Sequence, residues 1–320
     1  MKEFIPKGRI AFLLRTARLR RSRAAASKLS LLRSGRTRSP RASGKYGEKP
    51  AGRLRYLLAC MNSESQKALR DRLASYHGHY GIDGGWRAVA GLLLPAGAGL
   101  LLLYLSLFPG VPKPLFQRAL EFLAGAALLQ VPVNFFYSTK QGKFAVWAEL
   151  LAGLSLRGDE RILEMGCGRG AILTMLGKLL PQGRAVGIDL WRKEDQSGNS
   201  LKSARMNLVA EGVADRCELQ TGDMRTLPFP DASFDLVVSN LAIHNIPEPE
   251  GRKRAVDEAV RVLKPGGRLL IADLYRTEEY VPWLQEAGML RVNRRSLGWR
   301  FWFGVLGVTP RLVTAEKPMG

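Results

Sequence analysis

Residues 161–191, RILEMGCGRGAILTMLGKLLPQGRAVGIDLW, constrain the fold of this 320-residue chain more than any other stretch. They read as an apolar strand, a glycine-rich turn, an amphipathic helix, a Pro-Gln-Gly stop and a second strand that ends on an acid. Gly166, Gly168 and Gly170 stand where the chain must turn tightly and admit a ligand to the backbone, which a Cβ would obstruct. Asp189 closes the second strand, placed to hydrogen-bond the two hydroxyls of a ribose. An adenosine-containing cofactor is the inference.

Detail narrows the cofactor. The glycine spacing is G-x-G-x-G, not the G-x-G-x-x-G that seats a pyrophosphate on a helix N-terminus. Glu164 precedes it, and a carboxylate there repels a pyrophosphate. It suits S-adenosylmethionine (SAM), which has no phosphates and carries a cationic amino group and a sulfonium. The loop favours the methionine-derived cofactor over a dinucleotide.

Downstream, TGDMRTLPFPDASFDLVVSN gives an acid, Asp223, after a short strand, then a buried-type strand ending on Asn240. RVLKPGGRLLIADL follows as a helix end, a Pro-Gly-Gly turn and a third buried-type strand. With these motifs in order, residues 141–290 resemble the class I SAM-dependent methyltransferases, most closely the small-molecule branch that includes quinone, sterol and arsenite methyltransferases. The resemblance implies an α/β fold, the Rossmann-like doubly wound sheet of that family, finished by an antiparallel hairpin. It implies that Glu164 and the turn of Gly166, Cys167, Gly168 and Gly170 hold the methionine moiety. Asp189 would bind the ribose, Leu190 would line the adenine pocket, and Asp223 with the Met224 backbone would read the adenine edge. Asn240 would lie near the aminopropyl end. Taken singly, each acid is equally readable as a helix cap or a solvated strand end.

The alternation of buried-type strands with helices independently predicts a parallel sheet covered on both faces, with its site at the strand C-termini. Glu164, Asp189, Asp223 and Asn240 all fall at such ends. The polar loop DQSGNS, residues 195–200, reads either as a cover on the cofactor, with Trp191 stacking on adenine, or as a helix cap by Ser197 or Asn199. His244, the one histidine after residue 140, lies just past the strand ending at Asn240 and is the candidate general base. Its alternative role is to orient backbone or pack under the adenosyl group. The quinone methyltransferases look different in this stretch. Arg225 and Arg252 are either solvated, structural, or ligands for an acidic substrate group.

The formal charge of +21 belongs mostly to residues 1–60, which hold 17 Lys/Arg against 2 Asp/Glu, while the remaining 260 hold 32 against 26. That Arg/Ser/Ala/Gly-rich arm is expected to be disordered alone. It reads as a binder of anionic lipid, as a transit peptide, or as sequence upstream of a true start at Met61. A near-neutral catalytic half and the lack of an N-P-P-Y-type motif after FDLVVSN disfavour nucleic acid as partner. Cys60, Cys167 and Cys217 have no paired spacing and no neighbouring histidine, which indicates neither a disulfide scaffold nor a metal site. They also lack the dedicated cysteines of arsenite methyltransferases.

Residues 88–112 carry no charge over 25 positions, long enough for a bilayer core despite Pro95. Residues 122–139 are uncharged over 18 positions but contain Gln130, Pro132 and Asn134. Two crossings keep both the catalytic half, which needs cytosolic SAM, and the basic flank of Arg70, Arg72 and Arg87 on the cytosolic side. A linker with Lys113 and Arg118 outside is a mild objection, and a buried hairpin or dimer contact is the alternative. The expected organisation is an arm (1–60), a juxtamembrane segment (61–87), a membrane hairpin (88–139) and a methyltransferase domain (140–320). Aromatic residues Trp299, Phe301, Trp302 and Phe303, between two late strands, read as hairpin core, a substrate lid or a lipid contact.

Together these features predict a membrane enzyme, in a bacterial inner membrane, that methylates a small, lipophilic acceptor. A catalytically silent SAM-binding assembly factor and a nucleic-acid methyltransferase using the basic arm are the other classes.

Overall fold

The computed structural model describes residues 63–110, 112–305 and 308–320, so the basic arm and Cys60 lie outside the described residues. The strands with near-continuous apolar runs form the centre of one seven-stranded sheet of order β3-β2-β1-β4-β5-β7-β6. These are β1 (Arg161–Met165), β2 (Arg184–Asp189), β3 (Cys217–Thr221), β4 (Phe234–Asn240), β5 (Leu263–Asp273), β6 (Leu290–Ser296) and β7 (Arg311–Glu316). The first five are parallel; β7 runs antiparallel between β5 and β6. Leu163, Val186 and Val237 are buried in the middle of the sheet, as strands covered on both faces require. At the edge, β6 exposes Arg291, Arg294 and Arg295, charges that discourage another strand from pairing there. The Pro-Gly-Gly turn read before the third buried strand is part of β5 itself, where the pairing with β4 shifts register between Phe234 and Leu236.

Eight helices are described: α1 (Ser63–Ala74), α2 (Gly85–Leu107), α3 (Leu115–Tyr137), α4 (Lys143–Ala152), α5 (Ala171–Leu179), α6 (Leu201–Ala210), α7 (Pro249–Val262) and α8 (Thr277–Glu286). Helix α6 is capped by Ser200, whose hydroxyl accepts from the Ser203 N–H at 3.1 Å; neither Ser197 nor Asn199 is the cap. Helices α2 and α3 form an antiparallel hairpin that turns most of its apolar surface outward, with Leu94 80% and Leu115 83% exposed. Both are long and apolar enough to cross a membrane, with mean hydropathy of 2.1 for α2 and 1.5 for the span that begins at Leu115. Each span starts earlier than its uncharged run: α2 at Gly85 and α3 at Leu115, so Arg118 and Glu121 lie in the opening turns of α3. Lys113 is paired with Glu121 at 2.8 Å, which neutralises one of the two cations at the turn.

The hairpin closes on two glycines. A Cβ on Gly99 would lie 3.0 Å from the Gly125 carbonyl, and one on Gly125 would lie 2.8 Å from the Gly99 carbonyl. Small residues at a helix crossing let the backbones approach. Gly125→Leu should therefore destabilise the hairpin by about 1–3 kcal/mol through overpacking, read as a lowered thermal transition of the detergent-solubilised protein. An unchanged transition would show that the crossing is loose.

The chain does not break at residue 139, where the hairpin was expected to end. A π-helical turn, Ser138–Gly142, carries α3 directly into α4. Here the Ser138 hydroxyl donates to the Trp302 carbonyl at 2.5 Å, and a Cβ on Gly142 would come within 1.8 Å of the Arg300 carbonyl. The late aromatic run is thus seated on the hairpin base. Phe301 and Phe303 are core, Phe303 against Phe135 at 5.7 Å, whereas Trp299 is exposed and stacks on Tyr137.

Candidate functional site

The strand–turn–helix of β1 and α5 is built as its glycines require. Gly166, Gly168 and Gly170 all have positive φ (72°, 52° and 80°), and the Gly166 and Cys167 N–H groups both donate to the Ile188 carbonyl. Part of the close approach is the protein's own. A Cβ on Gly166 would meet the Ala242 methyl at 2.3 Å, and one on Gly168 would meet Gln196 Oε1 at 2.6 Å.

A cavity of about 710 Å³ opens above these strand ends. It is lined by Glu164, Gly166, Cys167, Gly168, Asp189, Leu190, Asp223, Met224, Asn240 and His244. Of the residues picked from sequence, Gly170 and Trp191 are not in its wall. Gly170 is the N-cap of α5, and the Trp191 indole N–H donates instead to Thr221 Oγ1 at 2.7 Å.

Glu164 is the electrostatic centre. It is 2% exposed, and its Oε2 is buried with no hydrogen-bond partner. Burial pushes its carboxyl well above the usual range, with Asp189 adding to the rise; a Leu173 N–H and Lys143 oppose it without cancelling it. A buried carboxylate oxygen left unpartnered costs stability unless a cation or donor meets it. Asp189 is already oriented: Oδ2 accepts from the Gly168 N–H at 2.8 Å, and Oδ1 from the Trp191 N–H at 2.6 Å and the Asn199 amide at 3.2 Å. A carboxylate has about four acceptor sites, so capacity remains for ligand hydroxyls. Asp223 is held charged below the usual range by the Arg225 side chain, which binds it at 2.6–3.1 Å. Arg225 therefore pairs with a site acid. Arg252, fully buried, binds Glu279 and pins the Ile246 and Pro247 carbonyls, a structural task. Asn240 Oδ1 accepts from the Trp147 indole at 2.7 Å, which fixes the amide.

At another part of the wall, His244 Nδ1 is bonded to Asp273 Oδ1. Asp273 is fully buried at the end of β5. Its Oδ2 accepts from the His244 backbone N–H at 3.0 Å and from the Tyr280 hydroxyl at 3.1 Å. Burial lowers the imidazole pKa, but the Asp273 charge and hydrogen bond outweigh it and the net shift is upward. With Nδ1 occupied, Nε2 is the ring nitrogen able to take a proton. Cys167 and Cys217 are poor nucleophiles, since burial raises the Cys167 thiol and pushes Cys217 up to about 12.

The sequence did not disclose what covers the cofactor side. Residues 76–84, between α1 and α2, form a strap across the loop that precedes α6. The His79 N–H donates to Asn207 Oδ1 at 2.8 Å, Ile82 N–H to Ser197 Oγ at 2.8 Å, and Gly84 N–H to the Asp195 carbonyl at 2.9 Å. Gln196 ties strap to glycine turn, donating to the Tyr80 carbonyl and accepting from the Arg169 N–H. Asp83 closes it with an ion pair to Lys143 at 2.8 Å, and the lysine is 1% exposed. The loop of residues 195–200 is thus itself covered, by the segment that leads into α2.

Residues 163–271 match the protein family described as "Methyltransferase domain". The chain is 34% identical over 134 residues to the ubiquinone/menaquinone biosynthesis C-methyltransferase UbiE of Pseudomonas fluorescens, covering 41% of this chain and 49% of that protein. It is 30% identical over 127 residues to the sterol 4-C-methyltransferase strm-1 of Caenorhabditis elegans, covering 40% and 35%. The chain thus spans about half or less of the length of these relatives. A solved SAM-dependent methyltransferase from Aquifex aeolicus aligns over 53% of this chain and 88% of its own at 23% identity, with a TM-score of 0.40. SAM is the cofactor of a domain of this kind, and the residues present fit it. The unpartnered Glu164 oxygen, on a residue of the cavity wall, meets the need of a cationic amino group.

Proposed function

We propose that this class I SAM-dependent methyltransferase domain transfers a methyl group to a small, lipophilic acceptor, and that α2 and α3 hold it to a membrane. The observation that carries the reading is that Glu164, with its orphan carboxylate oxygen, and His244, held from behind by Asp273, line one cavity. One places the donor, the other a base for the acceptor. Quinone and sterol C-methyltransferases among the relatives support the acceptor class.

When bound, SAM supplies a methyl carbon made electrophilic by its sulfonium. Glu164 would bind the amino group, and Asp189, held by Gly168, Trp191 and Asn199, would orient the ribose. Asp223 and the Met224 backbone, which line the cavity beside Leu190, would read the adenine. Asn240, its amide fixed by Trp147, would meet the aminopropyl end. His244 takes the acceptor's proton at Nε2, while Asp273 holds the ring and stabilises the imidazolium that results. Alignment of acceptor and methyl at near-attack distance supplies most of the remaining rate.

Membrane attachment rests on the outward apolar faces of α2 and α3. The full chain should resist alkaline carbonate extraction from membranes, with tags before residue 1 and after residue 320 both cleaved by protease from the cytosolic side. Release into the soluble fraction, or an N-terminal tag protected on the side opposite the catalytic domain, contradicts the two-crossing arrangement.

A further inference from the structure

We infer that the acceptor's hydrocarbon tail leaves the active site sideways into the bilayer, through an apolar port between the base of α2 and the side chains of Phe303, Val305 and Val308, so that the acceptor is an amphiphile with its polar head at the His244 end and its apolar tail in the port. This rests on the methyltransferase reading above and adds a binding subsite outside the matched residues 163–271.

The cofactor cavity does not end at His244. Its wall continues through Ala88 and Leu92 of α2, Phe135 of α3, and Phe303, Val305 and Val308. All six side chains are apolar, and none is needed to hold an adenosyl group. Ala88 and Leu92 lie in the first turns of α2, the latter about 10 Å along the helix axis from its start. Leu93 and Leu94, the next residues, are 70% and 80% exposed on the same helix. One helix therefore forms both the inner wall of the cavity and the outward apolar surface. Val305 stands exposed at the rim.

The opposite wall is anchored rather than loose. Gln130 of α3 donates to the Gly304 carbonyl at 3.2 Å, and a Cβ on Gly304 would lie 2.7 Å from the Val131 carbonyl. That bond gives the Gln130 amide a partner within the second span and fixes the 303–305 segment against the hairpin. A tail threaded between this segment and α2 passes from cavity to lipid without meeting water. A water-soluble acceptor would instead leave the six-residue apolar wall facing solvent. The head belongs at the other end of the cavity, where His244 and Asn240 supply the polar groups.

The test uses the full chain in nanodiscs with a pentadecylphenol that carries a diazirine in mid-chain, alongside SAM binding measured on the same preparation. After illumination, label is expected on Ala88, Leu92 and Val305. Leu92→Trp and, separately, Val305→Trp should cut that label at least fivefold while SAM affinity stays within about twofold. The second variant alters an exposed residue, so misfolding does not confuse the outcome. Label confined to the outward Leu93, Leu94, Leu100 and Leu101, unchanged by either variant, overturns the port. Absence of label from all of these overturns it as well. Failure of the unmodified protein to bind SAM overturns the methyltransferase reading instead, whatever the labelling pattern.

Discussion

Glu164→Gln should weaken SAM binding roughly 10- to 100-fold while raising the thermal stability of the ligand-free protein. The binding loss follows from replacing a charge-assisted contact, worth about 1.5–3 kcal/mol, by a neutral one. The gain has the opposite sign because the ligand-free protein buries a carboxylate with an unpartnered oxygen. Its folded pKa lies above its unfolded one, so the folded state holds the proton more tightly. Glu164's contribution to ligand-free stability is then greatest below the ordinary carboxylate pKa and is lost as pH rises through the window up to the raised value. SAM affinity climbs across that same window, since the cationic amino group prefers the ionised form. Glu164→Gln should remove that contribution from the stability profile and flatten the rise in affinity. Titration calorimetry and thermal melts of the two proteins between pH 4 and pH 8 (about the range in which carboxylates shift) would check this. Unchanged affinity would remove Glu164 from the cofactor site; a lower melting point would show that its unpartnered oxygen is satisfied in solution.

His244→Ala should lower kcat by about 10²–10⁴-fold, the usual contribution of a positioned general base, with SAM affinity nearly unchanged. The neutral imidazole is the active form, so the rate should rise with pH through a value above 6.5, because the net shift is upward. Asp273 is a positioning residue for this base. Asp273→Asn removes the charge that raises the imidazole pKa, and the rising limb should move to lower pH as the maximum rate falls. Tyr280→Phe is the milder control: it takes one hydrogen bond from Asp273 and leaves the histidine contact in place. A structural role alone would alter stability without moving the limb. If His244→Ala keeps the wild-type rate, the acceptor reaches the cavity already ionised or is acidic enough to need no base.

The parts of this site that could be read from sequence are those set by local geometry. Glycines at 166, 168 and 170 take the left-handed backbone that their spacing demanded, and acids at strand ends fall at the cavity because strand ends are where a parallel sheet opens. Asp273 obeys the same rule, an acid closing the buried-type strand RLLIAD. The strap left no such trace. Residues 76–84 have no periodicity, and they are held by backbone N–H groups donating to Asn207, Ser197 and Asp195, partners more than 100 residues away in sequence. The boundary expected at residue 139 failed for a related reason. Lys143, just past the apolar span, is buried and paired with Asp83 of the strap, and the helix continues through it. The orientation of Trp191 was equally closed to sequence, since its positive φ and its bond to Thr221 depend on the neighbouring strand.

Methyl-labelled SAM should be offered to the purified full chain together with matched membrane-lipid, soluble-metabolite and nucleic-acid extracts of its host. Label is expected in the lipid fraction, and it should be lost with Asp189→Ala. Label in the soluble or nucleic-acid fraction would contradict the lipophilic acceptor, and SAM binding without transfer to any fraction would make the chain a binding protein and not an enzyme.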